Sequence, residues 1–262
     1  GLACHGDVVE CRNCSMVYSN PQPEAGALLS SYGEDRDPLY LTQREGRERT
    51  FSFLLDRIER FVDRPGVMLD VGCYTGVFME LAAARGWQAS GIELSDWAVS
   101  IARSTGVGPV HHGTLAEAGI EHGSMDLVCM WDVIEHLSAP GDVIDEVAAI
   151  LRPGGLLALT THMIDSVTAR LMGSRYPFLM SMHLLHFSRF TMWRLLEDRG
   201  FEIITFEGHR RTVMRDYLFD RVWNLFPSSS GILKPLTRFH LVRRIPVHIR
   251  GLGLKNVFAR RT

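Results

Sequence analysis

The sequence predicts an α/β fold built on a doubly wound, mostly parallel sheet. Three observations carry that prediction. Short apolar runs alternate with helical patterns from Val67 to Phe206, a Gly-rich turn follows the first of those runs, and the second run ends in Glu93, twenty-one residues after Gly72. Strands separated by helices return to the sheet as parallel neighbours, with helices on both faces. At 262 residues and 46% hydrophobic, the chain suffices for one large domain with its own core, or one domain and a small appendage.

The elements follow in order. Residues 1–25 read as an irregular, Cys-containing segment that ends near Asn20, Pro21 and Pro23, and residues 26–262 as the main domain. Phe51, Leu54, Leu55, Ile58 and Phe61 form a helical stripe within 45–63. Then come a strand at Val67–Val71, a helix at Gly76–Arg85, a strand at Gln88–Ile92, a helix at Asp96–Ser104 and a short strand at Val110–His112. A strand at Met125–Met130, a helix at Val143–Leu151, a strand at Leu156–Thr161, a helix at Thr191–Arg199 and a strand at Phe201–Phe206 complete the alternation. Residues 209–251 break the rhythm and read as a helical insertion, with Val213, Tyr217, Val222, Trp223 and Phe226 on one helix face. Leu254–Ala259 is expected as a last edge strand.

Composition sets limits. No run approaches about 18 apolar residues, so no membrane-spanning helix is expected. No positive-then-apolar leader opens the chain, and Gly1, with no initiator Met, is expected to follow further residues upstream. Five cysteines (Cys4, Cys11, Cys14, Cys73 and Cys129) make an odd number unlike a disulfide framework, which fits a reducing cytoplasm. The net charge is −2, but from Phe201 onward twelve Lys/Arg face four Asp/Glu. A basic end on an acidic body suits an anionic partner, or is simply a solvated face.

The segment Val67-Met68-Leu69-Asp70-Val71-Gly72-Cys73-Tyr74-Thr75-Gly76 is the most informative. Glycines at such a turn let the backbone approach a ligand, and ligands of open α/β sheets sit at the carboxyl ends of strands. A dinucleotide site wants G-x-G-x-x-G around a pyrophosphate. Here the spacing is G-x-x-x-G, and Asp70 precedes it, where a carboxylate would repel phosphate. S-adenosylmethionine (SAM) carries a sulfonium and an ammonium and no phosphate, so electrostatics favour SAM over NAD. Glu93 stands where an acid accepts hydrogen bonds from ribose hydroxyls. Turn glycines and a helix cap would explain either element alone, but hardly both at this spacing.

Leu69-Asp70-Val71-Gly72-Cys73 with Thr75-Gly76, and then Gly91-Ile92-Glu93, resemble the first motifs of class I SAM-dependent methyltransferases. Trp131-Asp132-Val133-Ile134-Glu135-His136-Leu137 and Leu151-Arg152-Pro153-Gly154-Gly155 continue the pattern. The subgroup resembled is that of the ubiquinone-biosynthesis O-methyltransferase, which His183-Leu184-Leu185-His186-Phe187-Ser188 and the Cys11-to-Pro21 opening also match. The resemblance spans roughly residues 11–207. It implies a Rossmann-like seven-stranded sheet with its last strand antiparallel, Leu254–Ala259 inserting beside Phe201–Phe206. It implies SAM held by Asp70, Gly72, Cys73, Gly76, Phe78, Glu93, Leu94, Thr114, Leu115 and Trp131. Many relatives carry an Asp for the adenine amino group where this chain has Gly113-Thr114-Leu115, so Thr114 or nearby backbone is expected to replace it. The segment with Tyr32 and Tyr40 is expected to close over the cofactor as a lid.

Methyl transfer is an in-line displacement in which much of the catalysis is positioning. A hydroxyl acceptor must also lose a proton, a task that suits histidine. His136, His162, His183 and His186 lie in loops at strand ends, and His183 and His186, then His162, are the first candidates for the base; each is otherwise a packed loop residue. Asp132-x-x-Glu135-His136, with His183 or His186, has ligand chemistry for a divalent cation and resembles the motif of small-RNA 3′-terminal 2′-O-methyltransferases. Cys11-x-x-Cys14, with Cys4 or His5, is a candidate zinc site. Cys73 and Cys129 read as core residues.

The region 209–251 mixes aromatics (Tyr217, Trp223, Phe226) with Arg210, Arg211, Arg215, Arg221, Arg238, Arg243, Arg244 and Arg250. It reads as a lid that meets an acceptor or a membrane surface, with an anionic lipid-linked or nucleotide-linked substrate ahead of nucleic acid. The expected acceptor is a small-molecule, sugar or lipid-linked hydroxyl. A metal-dependent RNA ribose methyltransferase, a non-catalytic SAM-binding module and, more distantly, an NAD-dependent dehydrogenase are the competing readings.

Overall fold

The computed structural model describes residues 7–34, 36–214 and 246–262. Its main body is a seven-stranded sheet. The strands are β3 (Val67–Val71), β4 (Gln88–Glu93), β5 (Val110–His112), β6 (Met125–Trp131), β7 (Leu151–His162), β9 (Phe201–Met214) and β10 (Pro246–Arg261). They lie in the order β5-β4-β3-β6-β7-β10-β9. All neighbours from β5 to β7 are parallel, and β10 runs antiparallel to both β7 and β9. Order reverses at β3, with β4 on one side and β6 on the other, so the site is expected at the carboxyl end of β3.

Successive side chains of a strand point to opposite faces, and here they fill two separate cores. Leu69, Val128, Met130, Leu157, Leu159 and Val257 join one cluster, while Met68, Leu127, Cys129, Leu156, Ala158 and Phe258 join the other. Both faces are covered, which is why these strands read as continuous apolar runs. Helices α3 (Arg44–Ile58) and α4 (Val77–Ala83) bury Leu54, Leu55, Ile58, Phe78 and Met79 in the second cluster. Helices α6 (Pro140–Ile150) and α8 (Arg189–Glu197) bury Ile144, Val147, Met192 and Leu196 in the first. Helix α5 (Asp96–Ser104) is capped by the Ser95 hydroxyl, which accepts from the Ala98 N–H. Cys73 and Cys129 are buried, and burial pushes both thiols up, so they pack rather than react.

The structure departs from the sequence reading in five places. The strand expected at the edge over Leu254–Ala259 is interior, because β10 pairs with β7 on one side and β9 on the other and leaves β9 as the edge. The stripe of 45–63 is helical only to Ile58, because Arg60 and Phe61 turn back with i→i+3 bonds to Arg57 and Ile58. β7 begins at Leu151 rather than Leu156, since Leu151 already pairs with Met125 ahead of a register shift. Residues 1–25 are not irregular throughout. β1 (Asp7–Glu10) and β2 (Val17–Asn20) form a hairpin that pairs through β2 with β8 (Leu185–His186). Finally, the insertion 209–251 is not helical at its described ends. Residues 209–214 and 246–251 continue β9 and β10 as a two-stranded arm, Met214 facing Pro246 and Arg210 facing Arg250. Val213 is therefore a strand residue: the β-branched pair Thr212–Val213 has a partner strand, and pairing overrides local helical spacing. Tyr217, Trp223, Phe226, Arg215, Arg221, Arg238, Arg243 and Arg244 lie outside the described residues. Helices α1 (Ala25–Gly33), α2 (Pro38–Thr42) and α7 (Val167–Met172) complete the described chain, and no helix in it is long and apolar enough to cross a membrane.

Candidate functional site

A cleft of about 590 Å³ opens at the carboxyl ends of β3, β4 and β6. Its floor comes from the turn after β3. Gly72 has φ +74, and a Cβ there would meet Val133 Cγ2 at 2.6 Å, so a side chain is excluded on both counts. Asp70 lines the cleft yet is only 1% exposed, and its Oδ1 has no hydrogen-bond partner. Burial, and then the nearby Glu93 charge, push its carboxyl well above the usual carboxylate range.

Glu93, at the end of β4, is held differently. Its Oε2 accepts from the Tyr74 N–H at 2.9 Å, and its Oε1 accepts from the N–H groups of Leu94 and Ser95 at 2.8 Å. These bonds tie the β3 turn to the β4 turn and aim the carboxylate into the cleft. Cys73, Leu94, Leu115 and Trp131 line the same space. Gly76 and Phe78 do not. Gly76 caps α4 in the left-handed conformation, and Phe78 supports Trp131 from behind, ring centroids 5.0 Å apart. At the third strand Gly113, Thr114 and Leu115 line the cleft, but the Thr114 N–H and hydroxyl both bond to Glu117 at 2.8 Å. The Thr114 side chain is thus engaged, which leaves backbone at this end.

The fit of SAM rests on that donor set. An orphaned buried carboxylate beside a second carboxylate calls for a cationic or hydrogen-donating partner. Nothing at the Gly72 turn resembles a phosphate cradle, and SAM answers both demands.

The other wall is formed by α1 to α3 and the β9–β10 arm. Tyr32, Tyr40, Arg47 and Thr50 line it, with His209 and Arg211 from β9. The expected lid segment is therefore at the cleft, and Arg47 stacks 3.2 Å over the Tyr40 ring. Asp132 sits between the walls with φ 55, a conformation rare for a non-glycine residue, and accepts from the Thr160 hydroxyl at 2.8 Å. Burial would raise its carboxyl, but the Arg211 guanidinium, His209 and the Thr160 hydroxyl outweigh it and hold the carboxyl below its usual range. His209 and Arg47 carried no motif signal in the sequence, and Arg211 stood out only as one of the basic residues of 209–251; His209 and Arg211 reach the cleft on β9.

The histidines divide. His162, His183 and His186, ranked first as bases, do not line the cleft and are 0%, 6% and 1% exposed. His162 Nε2 lies 2.9 Å from His186 Nδ1, and the His162 and His183 rings stack at 4.8 Å. Burial pushes all three down to about 4, so they are neutral. His136 does line the cleft, and its Nδ1 lies 2.9 Å from the Met182 carbonyl and 2.8 Å from the Tyr32 hydroxyl.

The ligand atoms of Asp132, Glu135 and His136 do not gather as one close set: Asp132 accepts from the Thr160 hydroxyl and His136 Nδ1 bonds the Met182 carbonyl. Among the described residues, the group that does gather ligand atoms is Glu135, His162 and His183. Cys11 and Cys14 lie together in the β1–β2 turn as free thiols, without a third described ligand; Cys4 and His5 lie outside the described residues.

Comparison with known proteins adds the following. A family model described as a methyltransferase domain matches residues 45–205. The ubiquinone biosynthesis O-methyltransferase of Burkholderia orbicola is 31% identical over 116 residues, 41% of this chain and 50% of that protein. Its counterpart in Burkholderia thailandensis is 27% identical over 168 residues, 56% of this chain and 72% of that one. The chain thus spans about half the length of several curated relatives it matches. A SAM-dependent methyltransferase from Archaeoglobus fulgidus superimposes with a TM-score of 0.58 at 16% identity, over 86% of this chain and 100% of that one, and shows the shared fold.

Proposed function

The chain belongs to the SAM-dependent methyltransferase family, and from that premise we propose that it methylates a hydroxyl of a small-molecule, sugar or lipid-linked acceptor. The observation that carries this reading is the buried Asp70 oxygen left without a partner beside Glu93 at the Gly72 turn. Asp70 and Glu93 take the cationic and ribose ends of SAM, and Gly113 to Leu115 flank its base. When bound, SAM supplies an electrophilic methyl group on a sulfonium.

The residues of the opposite wall receive the acceptor. A carbonyl only accepts, so His136 Nδ1 carries the proton that it donates to Met182, and Nε2 keeps its lone pair. That nitrogen is the candidate base for the acceptor hydroxyl. Its orientation is set by the backbone, as a carboxylate sets it in other acid–base pairs. Tyr32, bonded to the same Nδ1, couples the lid to the base. Arg47, Arg211 and His209 place positive and hydrogen-donating groups in the acceptor half, which suits an acceptor bearing an oxygen-rich or anionic group near the hydroxyl.

The test is transfer from methyl-labelled SAM to an extract separated into water-soluble, lipid and RNA fractions. Label in the soluble or lipid fraction, stable to mild base and released as methyl iodide by hot hydriodic acid, supports hydroxyl methylation and selects between the two acceptor classes. Label confined to RNA, or no transfer at all, contradicts it.

A further inference from the structure

Behind the cleft wall lies a cluster that the transfer reading does not use. We propose that Glu135, His162 and His183 form a buried site for a borderline divalent metal ion such as zinc. The inference stands on geometry and on unmet hydrogen bonds, independently of the acceptor.

The three side chains come from different parts of the fold. Glu135 belongs to the short turn 134–136 after β6, His162 ends β7, and His183 lies in the loop leading to β8. One ligand atom of each lies within 4.8 Å of the others. Glu135 is 1% and His162 0% exposed, and Glu135 Oε2 and His162 Nδ1 have no hydrogen-bond partner. His162 Nδ1 lies 3.9 Å from Glu135 Oε1, too far for a hydrogen bond and close to the separation of two ligands on one ion. Buried, unpartnered polar atoms are rare and costly, so two of them within one buried cluster signal a missing occupant.

The proton positions agree. His183 Nδ1 lies 2.8 Å from the Phe178 carbonyl, which can only accept, so Nδ1 bears the proton and Nε2 the lone pair. His162 Nε2 faces His186 Nδ1 at 2.9 Å; with His162 donating there, its Nδ1 lone pair is directed to Glu135. Each histidine thus uses one nitrogen for an outer partner and keeps the other free, the arrangement that orients metal-bound imidazoles. His186 serves as such an outer partner, and its Nε2 is itself buried without one.

Two imidazoles and one carboxylate suit zinc, cobalt, iron or manganese better than magnesium or calcium, which prefer all-oxygen shells. Tetrahedral ligands at zinc sit about 3.4 Å apart, so Glu135 Oε1 and His162 Nδ1, now 3.9 Å apart, close by about 0.5 Å on binding, and one of the stacked His162 and His183 rings turns so that both lone pairs meet the ion. The ion would lock the turn after β6, the end of β7 and the 173–184 loop together beneath His136, whose ring lies 4.8 Å from that of His183. Its role is therefore to position the cleft wall.

The experiment uses the full chain, first stripped with a chelator, then loaded with Zn²⁺ or Co²⁺ and desalted. It is repeated in a Cys11→Ser/Cys14→Ser background to remove the thiol pair. One ion per chain retained in both, and lost in His162→Gln and His183→Gln, supports the site. No retained ion, or retention unchanged by both histidine substitutions, overturns it. Should either variant fail to fold, the cobalt spectrum of the Cys11→Ser/Cys14→Ser chain decides. Ligand-field bands without thiolate charge transfer support nitrogen and oxygen ligands, whereas a thiolate band or no bands contradicts them.

Discussion

Asp70 and the Glu135–His162 pair are buried to the same degree and both hold polar atoms without partners, yet they differ in access. Asp70 opens on the cleft, so its partner can arrive and leave with each turnover. Glu135 and His162 lie behind His136, closed from the cleft, so their partner has to be resident. Burial alone therefore does not say what a polar group does; the path to solvent does. The two regions should respond in opposite ways to substitution.

The largest effect is expected at Glu93. Glu93→Ala removes the acceptor of three backbone N–H groups and leaves them unpaired. Hydrogen bonds to charged groups contribute roughly 1.5–3 kcal/mol each, so SAM affinity should fall by at least about 100-fold and the fold should lose stability. Calorimetric titration and thermal melting measure the two losses. Affinity within a few-fold of wild type would break the cofactor half of the comparison.

Asp70→Asn separates binding from stability. SAM should bind about 10–100-fold more weakly, as expected for losing a charge-assisted contact of 1.4–3 kcal/mol. The ligand-free protein should instead gain. A carboxyl whose folded pKa is raised above its unfolded value costs stability once the unfolded group ionises, so wild type weakens as pH rises above the ordinary carboxylate range. The Asn variant lacks that loss. Melting curves across pH 4 to 8, a window drawn from the usual carboxylate pKa of about 4, should show the two proteins diverge as pH rises. Parallel curves would remove the account of Asp70.

His136→Gln should lower the transfer rate by roughly 10²–10⁴-fold, the usual range for losing a general base, with SAM affinity unchanged. His186→Asn should show the opposite pattern. Losing its bond to His162 costs about 1–3 kcal/mol of stability, while SAM affinity holds. If His186→Asn abolished transfer in a folded protein and His136→Gln did not, the roles assigned to the two histidines would have to be exchanged. The smallest effect is expected for Tyr32→Phe, a few-fold loss in rate through the freed His136 ring.

The legible part of the sequence was the part whose chemistry is local. The strand-turn-helix after Val67 puts Asp70, Gly72 and Cys73 at the cleft by backbone geometry alone, and Glu93 follows from the same unit repeated. The histidines were not legible, because their environment depends on the 173–184 loop folding back over the end of β7. Sequence position put His162, His183 and His186 in loops at strand ends; His162 closes β7, whereas His186 lies within β8 and His183 in the loop before it, and position said nothing about which side of the wall they face. Likewise Arg211 read only as one of the basic residues of the insertion 209–251. Its place in the cleft depends on pairing with Ile249, some forty positions away.

The most direct test of the central claim is calorimetric titration of the wild-type chain with SAM and, separately, with NAD, repeated for Asp70→Asn. The account predicts that SAM binds wild type, that NAD does not, and that Asp70→Asn weakens SAM without lowering the melting temperature of the free protein. Binding of NAD in preference to SAM, or SAM affinity indifferent to Asp70, would contradict it.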